Sequence, residues 1–339
     1  MQVPQELYAL VTSPDYRETL GLPGELTESY RPLAQGEYNQ NLIFQHPLTG
    51  QELVLRVNYG SQMHLSNQIE YEANALCLLE PSGRTPKVHY VDGSLQHLDH
   101  GVLVMDYLPG KPLDYECPSD LAEAARVLAD IHSVPVPDDH GLIAPEESLR
   151  AILDECEAMV AVYLDSPLGD APTKRTVRDL LDLAWGKVDD LKGVSFPRCI
   201  INTELNNTNF LMNGEEKGYL IDWEKPLFGD PAQDLGHFLA PTTTFWKTDV
   251  IFTDEQIAKF LDHYIAAVNA NGRDDLAEGI RERTSVFLQV TCLRGITWCA
   301  MAWVEYQSPE RELVNESTRK KLVQYLEPAF LERIGSYLQ

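Results

Sequence analysis

The sequence between residues 200 and 222 places an acid, an amide and a second acid at spacings that could serve one site. They are Glu204, Asn209 and Asp222, and a glycine-containing turn at 214–218 lies between apolar segments. This pattern is typical of a β-hairpin. If residue 213 pairs with residue 218, Asn209 lies opposite Asp222 at the open end, with Glu204 on the preceding loop. Magnesium prefers carboxylate and amide oxygens, so the pattern predicts a magnesium site beside a further carboxylate.

A purely structural role would also explain these residues. Asparagine is a common turn former, so Asn206, Asn207 and Asn209 are compatible with an ordinary loop. Asp222 could simply end a strand. The elements around this stretch, together with further motifs along the chain, favour the functional interpretation.

The first third of the chain is rich in short strands and carries one helix. Strands are predicted at 42–44, 53–57 and 101–108. Turn residues at 46–50 join the first two strands into a hairpin, and Pro109-Gly110 ends the third. Apolar positions at helical spacing predict a helix over 68–79.

The rest of the chain is mostly helical. Helices are predicted at 119–132, 149–164, 176–191 and over most of the chain from 254 to the end. Ser119 or Asp120 would cap the first of them. Short strands return only between 198 and 223. A small sheet followed by a helical region predicts an α+β fold with two lobes, residues 1–108 and residues 109–339.

The stretch that begins at Glu204 resembles the catalytic and metal-binding loops of the aminoglycoside phosphotransferase and choline kinase family. In that family an acid followed by Leu-x-x-x-Asn leads into a hairpin and then into Ile-Asp-x-Glu. The resemblance implies a protein-kinase-like fold: a small N-terminal lobe with an antiparallel sheet and one helix, and a larger, mostly helical C-terminal lobe carrying these loops at 199–235. It also implies that ATP is bound and that Asn209 and Asp222 hold Mg²⁺.

Further motifs follow in the order expected for that family. The turn with Gly36 and Asn39 resembles the phosphate-covering turn, where a residue without a side chain lets backbone amides approach phosphate. Arg56 stands in the place of the phosphate-contacting base. Glu72 resembles the helix glutamate that pairs with this base, and Glu70 is the alternative because it points to a different side of the helix.

Residues 102–110 resemble the segment between the two lobes of that family. The adenine ring would bond there to backbone atoms near Asp106 and Leu108. Asp234 resembles the acid that braces the catalytic loop, and His132 is interpreted as structural. The resemblance covers residues 30–240. Each motif is weak by itself, but six of them in the family's order form a specific signal.

Two positions depart from the family's pattern. Glu204 replaces the aspartate that serves as the base, and Asn202 replaces a histidine two residues earlier. A glutamate reaches one methylene further, and a misplacement of about 1 Å can cost roughly a hundredfold in rate. The sequence therefore predicts an ATP- and Mg²⁺-dependent phosphotransferase acting on the hydroxyl of a small molecule, with Glu204 as its base. The alternatives are a nucleotide-binding pseudokinase with a regulatory or binding role, and a helical solute-binding protein without a cleft.

The composition restricts the expected partners and location. The formal net charge is −25, from 27 basic and 52 acidic residues. A surface this negative repels phosphate backbones and anionic lipids, so neither nucleic acid nor a membrane surface is expected as a partner. The six cysteines form no C-x-x-C pair, and the chain starts without a signal-peptide pattern, which together favour the cytoplasm. The most apolar run, 290–304, predicts a buried core helix.

The substrate class stays open at this point, as do the oligomeric state and the choice between ATP and GTP. Acidic residues in the helical half could attract a cationic amine such as an aminoglycoside or choline, or could form a solvated helix face. They are Asp254, Glu255, Asp262, Asp274, Asp275 and Glu278. Aromatic residues could line a pocket for such a cation, with core packing as the alternative. They are Trp246, Trp298, Trp303 and Tyr306.

Overall fold

A five-stranded antiparallel sheet forms the N-terminal part of the computed structural model, which describes residues 3–36, 38–189, 196–214, 217–307 and 316–338. The strands are β1 (Arg31–Gln35), β2 (Asn39–Gln45), β3 (Glu52–Asn58), β4 (Val88–Asp92) and β5 (Gly101–Asp106). Their order across the sheet is β1-β2-β3-β5-β4. The predicted hairpin is therefore present as β2 and β3, which pair from Asn39 with Asn58 to Gln45 with Glu52.

Alternation along β3 gives the sheet two apolar faces. Leu53, Leu55 and Val57 are buried with the N-terminal helices α1 (Tyr8–Val11) and α2 (Pro14–Leu20). Val54 lies on the opposite face, in the cluster that contains helix α3. Since successive side chains point to opposite faces of a strand, Arg56 shares the face of Val54. The predicted alternation is confirmed, and it places Arg56 beneath α3.

Helix α3 (Gln68–Leu79) has the predicted bounds. The Asn67 side chain caps it by accepting a hydrogen bond from Glu70 N at 3.3 Å, which satisfies one of the free amides of the first turn. A short 3-10 turn follows, and Gly83 ends it in the left-handed region at φ 64°. The helix therefore positions Glu72 over the face of the sheet that carries Arg56.

Helices dominate the remainder of the described chain. They are α4 (Pro118–His132), α5 (Ser148–Asp165), α6 (Ala171–Asp189), α7 (Pro231–Leu239), α8 (Pro241–Lys247), α9 (Asp254–Ala270), α10 (Asp274–Ala277), α11 (Ile280–Glu305), α12 (Glu316–Tyr325) and α13 (Pro328–Leu338). The short strands are β6 (Lys111–Pro112), β7 (Cys199–Ile201), β8 (Phe210–Met212), β9 (Gly218–Leu220) and β10 (Leu227–Gly229). This segregation of sheet and helices confirms the predicted α+β fold.

Three helix starts differ from the sequence prediction, and that of α5, at Ser148, differs by one residue. Helix α4 begins at Pro118 with Cys117 before it, and no side chain caps it, so Ser119 and Asp120 lie inside the first turn. Proline suits this position because its missing N–H would have no partner there. Helix α6 begins at Ala171, five residues earlier than predicted. Its predicted end at 191 lies outside the described residues.

The hairpin of β8 and β9 has a register one residue away from the expected one. Met212 pairs with Gly218, and Phe210 pairs with Leu220. Gly218 belongs to the strand because it packs closely on α4: a Cβ there would lie 2.8 Å from Val127 Cγ2. Asn209 O therefore accepts from Ile221 N at 2.9 Å, and Asp222 lies one residue beyond this pair.

Helix α11 runs through the centre of the helical part and packs against α5 and α7. Gly236 lets α7 approach it closely, since a Cβ at this position would lie 2.6 Å from Leu288 N. By length and composition Ile280–Glu305 could cross a membrane, but core helices of soluble proteins pass the same test, and 67% of its most apolar window is buried within the protein. The predicted core helix is confirmed.

Candidate active site

Arg56 and Glu72 form a buried ion pair between β3 and α3. Arg56 Nη1 lies 2.5 Å from Glu72 Oε1, and the two side chains are 7% and 1% exposed. Glu70 is exposed, so Glu72 is the partner. Arg56 Nε also donates to Asn41 Oδ1 at 3.0 Å. Burial raises the pKa of Glu72, and the charge of Arg56 opposes part of that rise.

The same guanidinium faces two carboxylates that follow the β8–β9 hairpin. Asp222 Oδ1 and Glu224 Oε1 lie 3.8 and 3.9 Å from Arg56 Nη1. Three carboxylates therefore surround one positive charge. Burial, followed by the charge of Asp222, raises the pKa of Glu224 to about 7. A cation would relieve this excess of negative charge.

The donor set around Asp222 fits magnesium. The Asp222 side chain is 44% exposed and can offer its oxygens. Asn209 Nδ2 donates to the Glu204 carbonyl at 3.1 Å, which leaves the amide oxygen of Asn209 as the atom that can bind a cation. Within the described ranges, no group of three or more His, Cys, Asp or Glu side chains could hold a metal by itself. Phosphate oxygens and water would have to complete the shell, as is usual for magnesium.

Glu224 is a site residue that sequence reasoning did not single out. The signal was present, because Glu224 is the last letter of the Ile-Asp-x-Glu motif. Its function there depends on Arg56 and Asn39, which lie more than 160 residues earlier in the chain. Sequence spacing could not place these three side chains together.

The predicted phosphate-covering turn contacts the cluster of carboxylates around Arg56 through Asn39. The Asn39 side chain is buried, donates to Glu224 Oε1, and accepts from Asn58 Nδ2 at 2.8 Å. Its polar atoms are therefore used within the protein, and so is the amide of Gly36, which donates to Asn39 O at 2.8 Å. At Gly36 an added Cβ would meet only Asn39 O, at 3.8 Å, so the protein itself does not require a glycine. A glycine here leaves the backbone without a side chain, as the predicted approach of a phosphate requires.

Residues 106–108, where the resemblance places the segment between the lobes, offer specific backbone atoms. Asp106 N donates to Lys87 O at 3.0 Å, so at this residue only the carbonyl can serve an adenine amino group. The Asp106 side chain accepts from Gln51 at 2.8 Å and contacts His89 at 2.6 Å. Leu108 N has no acceptor among the described residues and can donate to the adenine ring.

Glu204 belongs to the predicted catalytic loop, and its carboxylate forms an ion pair with a lysine side chain. Lys225 Nζ lies 2.6 Å from Glu204 Oε1, and the side chains are 18% and 39% exposed. The Glu204 backbone is held at both ends, because its N–H donates to Asn202 Oδ1 at 3.2 Å and its carbonyl accepts from Asn209. Lys225 was not identified from the sequence.

Asn202 has a clear role at the position where the family has a histidine. Its Nδ2 donates to the Asp222 carbonyl at 2.8 Å, and its Oδ1 accepts from Glu204 N. It thus joins the loop of the candidate base to the residue of the candidate metal site. Asp222 has φ 68° and Thr203 has φ 73°, and a β-branched residue with a positive φ is unusual. Such strain is typical of functional sites.

Asp234 braces this loop from α7, as the resemblance implied. Its two carboxylate oxygens accept from Asn202 N at 2.8 Å and from Thr203 N at 2.7 Å. His132 Nε2 lies 3.3 Å from the same carboxylate, and His132 Nδ1 lies 2.9 Å from Tyr264 Oη. Both Asp234 and His132 are fully buried. His132 therefore has the structural role that was expected.

A groove of about 1300 Å³ joins these residues to the helical part of the chain. Glu204, Asn209 and Asp222 line it, as does His237 of α7. Burial, followed by the charge of Arg294, lowers the pKa of His237 to about 4. His237 is therefore neutral at pH 7.

The residues that could recognise a cation are only partly in this groove. Trp246, Trp298 and Tyr306 line it, whereas Trp303 packs against Tyr163 at a ring distance of 6.0 Å. None of the six acidic residues proposed to attract an amine lines the groove, and Asp262 pairs instead with Arg281 on the exposed face of the helices. These acids therefore form a solvated surface.

The raised pKa of Glu224 predicts a pH-dependent stability. The folded protein binds this proton more tightly than an unfolded chain, whose carboxyl has a pKa near 4.5. The resulting stability is present below pH 4.5 and is lost as the pH rises through about 7. In EDTA, the free energy of unfolding of the wild type should therefore fall from pH 5 to pH 8 by a component on the order of 2–3 kcal/mol that Glu224→Gln lacks.

Urea denaturation of both proteins at unit pH intervals measures this component. Glu70→Gln is the matched control, because it makes the same chemical change at an exposed position of the same region. Its profile should follow that of the wild type. Parallel profiles for Glu224→Gln and the wild type would contradict the prediction.

Comparison with known proteins agrees with this geometry. A family model described as "Phosphotransferase enzyme family" matches residues 29–278. The choline kinase of Cryptosporidium parvum Iowa II has a TM-score of 0.64 at 13% identity, over 99% of this chain and 98% of that one. The choline kinase LicA of Streptococcus pneumoniae has a TM-score of 0.57 at 19% identity, over 88% and 92%.

A spectinomycin phosphotransferase, solved in complex with ADP and spectinomycin, has a fold about as similar to this chain as those of the two choline kinases. Its TM-score is 0.60 at 14% identity, over 92% of this chain and 93% of that one. At these identities the likeness is one of fold. It confirms the kinase-like architecture expected from the motifs.

Proposed function

Because this chain belongs to the phosphotransferase enzyme family, we propose that it transfers the γ-phosphate of ATP, in the presence of Mg²⁺, to a hydroxyl group of a small molecule. One observation carries the proposal. The candidate base Glu204 and the candidate metal residues Asn209 and Asp222 line one groove, which continues to the aromatic residues of the helical part. Donor and acceptor could therefore meet there.

Each group has a specific role in this proposal. Arg56, held by Glu72, binds phosphate oxygens, and the turn at Gly36 covers them. Asn209 and Asp222 would hold Mg²⁺, with Glu224 beside them. When bound, Mg²⁺ offsets the negative charge of the phosphates. Glu204 accepts the proton of the attacking hydroxyl in the groove that it lines together with Asp222.

A nucleotide-binding pseudokinase is the second candidate, and one contact favours it. The Glu204 carboxylate is bound to Lys225, which reduces its freedom to accept a proton. Two observations support an active enzyme instead. Asn202 still connects the two loops, and the β-branched Thr203 beside Glu204 has a positive φ, a strain that is typical of functional sites.

For the acceptor we propose only a chemical class, a small molecule with a hydroxyl group. Aminoglycoside- and choline-like amines are candidates, and so are neutral alcohols, because the groove carries basic as well as acidic residues. Arg294 donates to Glu155 at 2.8 and 3.1 Å, and Lys225 neutralises Glu204. We also keep residue 108 as the proposed lobe boundary and the cytoplasm as the proposed location.

Thermal unfolding with and without ATP and MgCl₂ tests the nucleotide site. A ligand that binds only the folded state, at a hundred times its dissociation constant, adds about 2.7 kcal/mol of stability. We expect a magnesium-dependent rise of the midpoint in the wild type and its loss in Asp222→Asn. Asp262→Asn, on the exposed surface, should behave like the wild type. If millimolar ATP gives no rise in the wild type, the proposed function is wrong.

A further inference from the structure

We propose that Lys225 is a positioning residue for the base, and that Glu204 and Lys225 together replace the shorter aspartate expected at this position. The inference rests on the proposed function. It concerns which groups make Glu204 competent, and it can fail while nucleotide binding and transfer stand. The ion pair of 2.6 Å between Lys225 Nζ and Glu204 Oε1 is the observation from which it starts.

Lys225 is anchored to the catalytic loop at two points. Its side chain reaches Glu204, and its backbone carbonyl accepts from Thr203 Oγ at 2.9 Å. Lys225 also lies three residues after Asp222, in the segment that Asn202 ties to the same loop. Base, lysine and metal residue therefore belong to one connected unit, and a shift of one moves the others.

The longer side chain explains why such an anchor is needed. Asn202, Asn209 and Asp234 fix the backbone of the catalytic loop, but none of them touches the Glu204 carboxylate. In the part of the chain that the structure describes, the hydrogen bond to this carboxylate comes from Lys225. A free glutamate would occupy several rotamers, and each unproductive one lowers the rate. Lys225 selects one of them.

The arrangement leaves one carboxylate oxygen for the reaction. Lys225 holds Oε1, and Oε2 can accept the hydroxyl proton. The hydroxyl oxygen then forms its bond to the γ-phosphorus as the bond from that phosphorus to the β–γ bridging oxygen breaks and ADP leaves.

A merely structural ion pair would give a different pattern of effects. If Lys225 only stabilised the fold, its replacement would lower the unfolding midpoint and leave the turnover of the folded enzyme unchanged. If it acted on the nucleotide alone, KM for ATP would rise. A positioning residue instead lowers kcat, leaves KM for ATP unchanged, and has no effect once the base is removed.

The test is Mg²⁺-dependent phosphate release from ATP with water as the acceptor, measured for the full chain. In Lys225→Met we expect kcat to fall by about 10- to 100-fold, with KM for ATP within about twofold of the wild type. Lys225→Arg should recover most of the loss, because it keeps the cation. Lys111→Met, at an exposed lysine of β6, is the matched control and should be unaffected.

The double variant Glu204→Gln with Lys225→Met decides how Lys225 acts. It should release phosphate no more slowly than Glu204→Gln alone. Undiminished kcat in Lys225→Met, or full additivity in the double variant, would overturn the inference. Neither result affects the proposed function, whose failure would show instead as the absence of magnesium-dependent binding and release in the wild type.

Discussion

Replacing Arg56 by Met is expected to lower the free energy of unfolding by about 3–5 kcal/mol, because it leaves Glu72 as a buried charge without a partner. Glu72 is 1% exposed, and its Oε2 already lacks a hydrogen-bond partner in the structure. Asp222 and Glu224 lose the same cation, so repulsion among the three carboxylates adds to the loss. Urea denaturation at pH 7.5 in EDTA measures the change.

Removing the second charge should reverse most of this effect. In the double variant Arg56→Met with Glu72→Gln, the neutral amide removes the buried charge, and we expect stability to recover by more than half. Arg281→Met, which breaks an exposed pair with Asp262, should cost less than about 1 kcal/mol. Equal losses in the buried and the exposed variant would contradict the interpretation of Arg56 and Glu72 as a buried ion pair.

Asp234→Ala should be the second severe change, with a loss of about 3–5 kcal/mol. It leaves the amides of Asn202 and Thr203 without acceptors in a buried region, and each unpaired group costs about 1–3 kcal/mol. The strained backbone at Thr203 loses its support as well. The catalytic loop should relax, so phosphate release should fall by more than about a hundredfold even below the unfolding midpoint.

Asp262→Ala is the control for this change, because it removes an exposed carboxylate from a surface ion pair. Its stability should stay within about 0.5 kcal/mol of the wild type. Near wild-type phosphate release in folded Asp234→Ala would show that the loop does not need this brace.

Local patterns predicted much of the fold and part of the site. The alternation along 53–57 placed Arg56 on the correct face, and helical spacing over 68–79 gave the bounds of α3. The resemblance ranked Glu72 above Glu70, which the contact distance bears out. These features depend on neighbours within a few residues, or on motifs whose order is preserved, and both are visible in a sequence.

Contacts between distant segments could not be predicted from local patterns and motif order. Glu224 and Lys225 acquire their roles from Arg56, Asn39 and Glu204, which lie in other parts of the chain. The role of Asn202 depends on the carbonyl of another loop.

The one-residue error in the hairpin register has a similar cause. Gly218 was assigned to the turn on local grounds, whereas its close contact with α4 makes it a strand residue. The solvated position of the acidic residues, Asp262 among them, likewise follows from the packing of the helices, which spacing alone does not reveal.

Phosphate release from ATP by the wild type and by Glu204→Gln tests the central claim most directly. Glu204→Gln keeps the shape of the side chain and removes the base. Magnesium-dependent release by the wild type, and a fall of about 10²- to 10⁴-fold in Glu204→Gln with ATP-induced stabilisation unchanged, is the predicted result. Equal rates in the two proteins would contradict catalysis by Glu204. Stabilisation of the wild type by Mg²⁺ and ATP without any turnover would contradict it as well and would favour a pseudokinase.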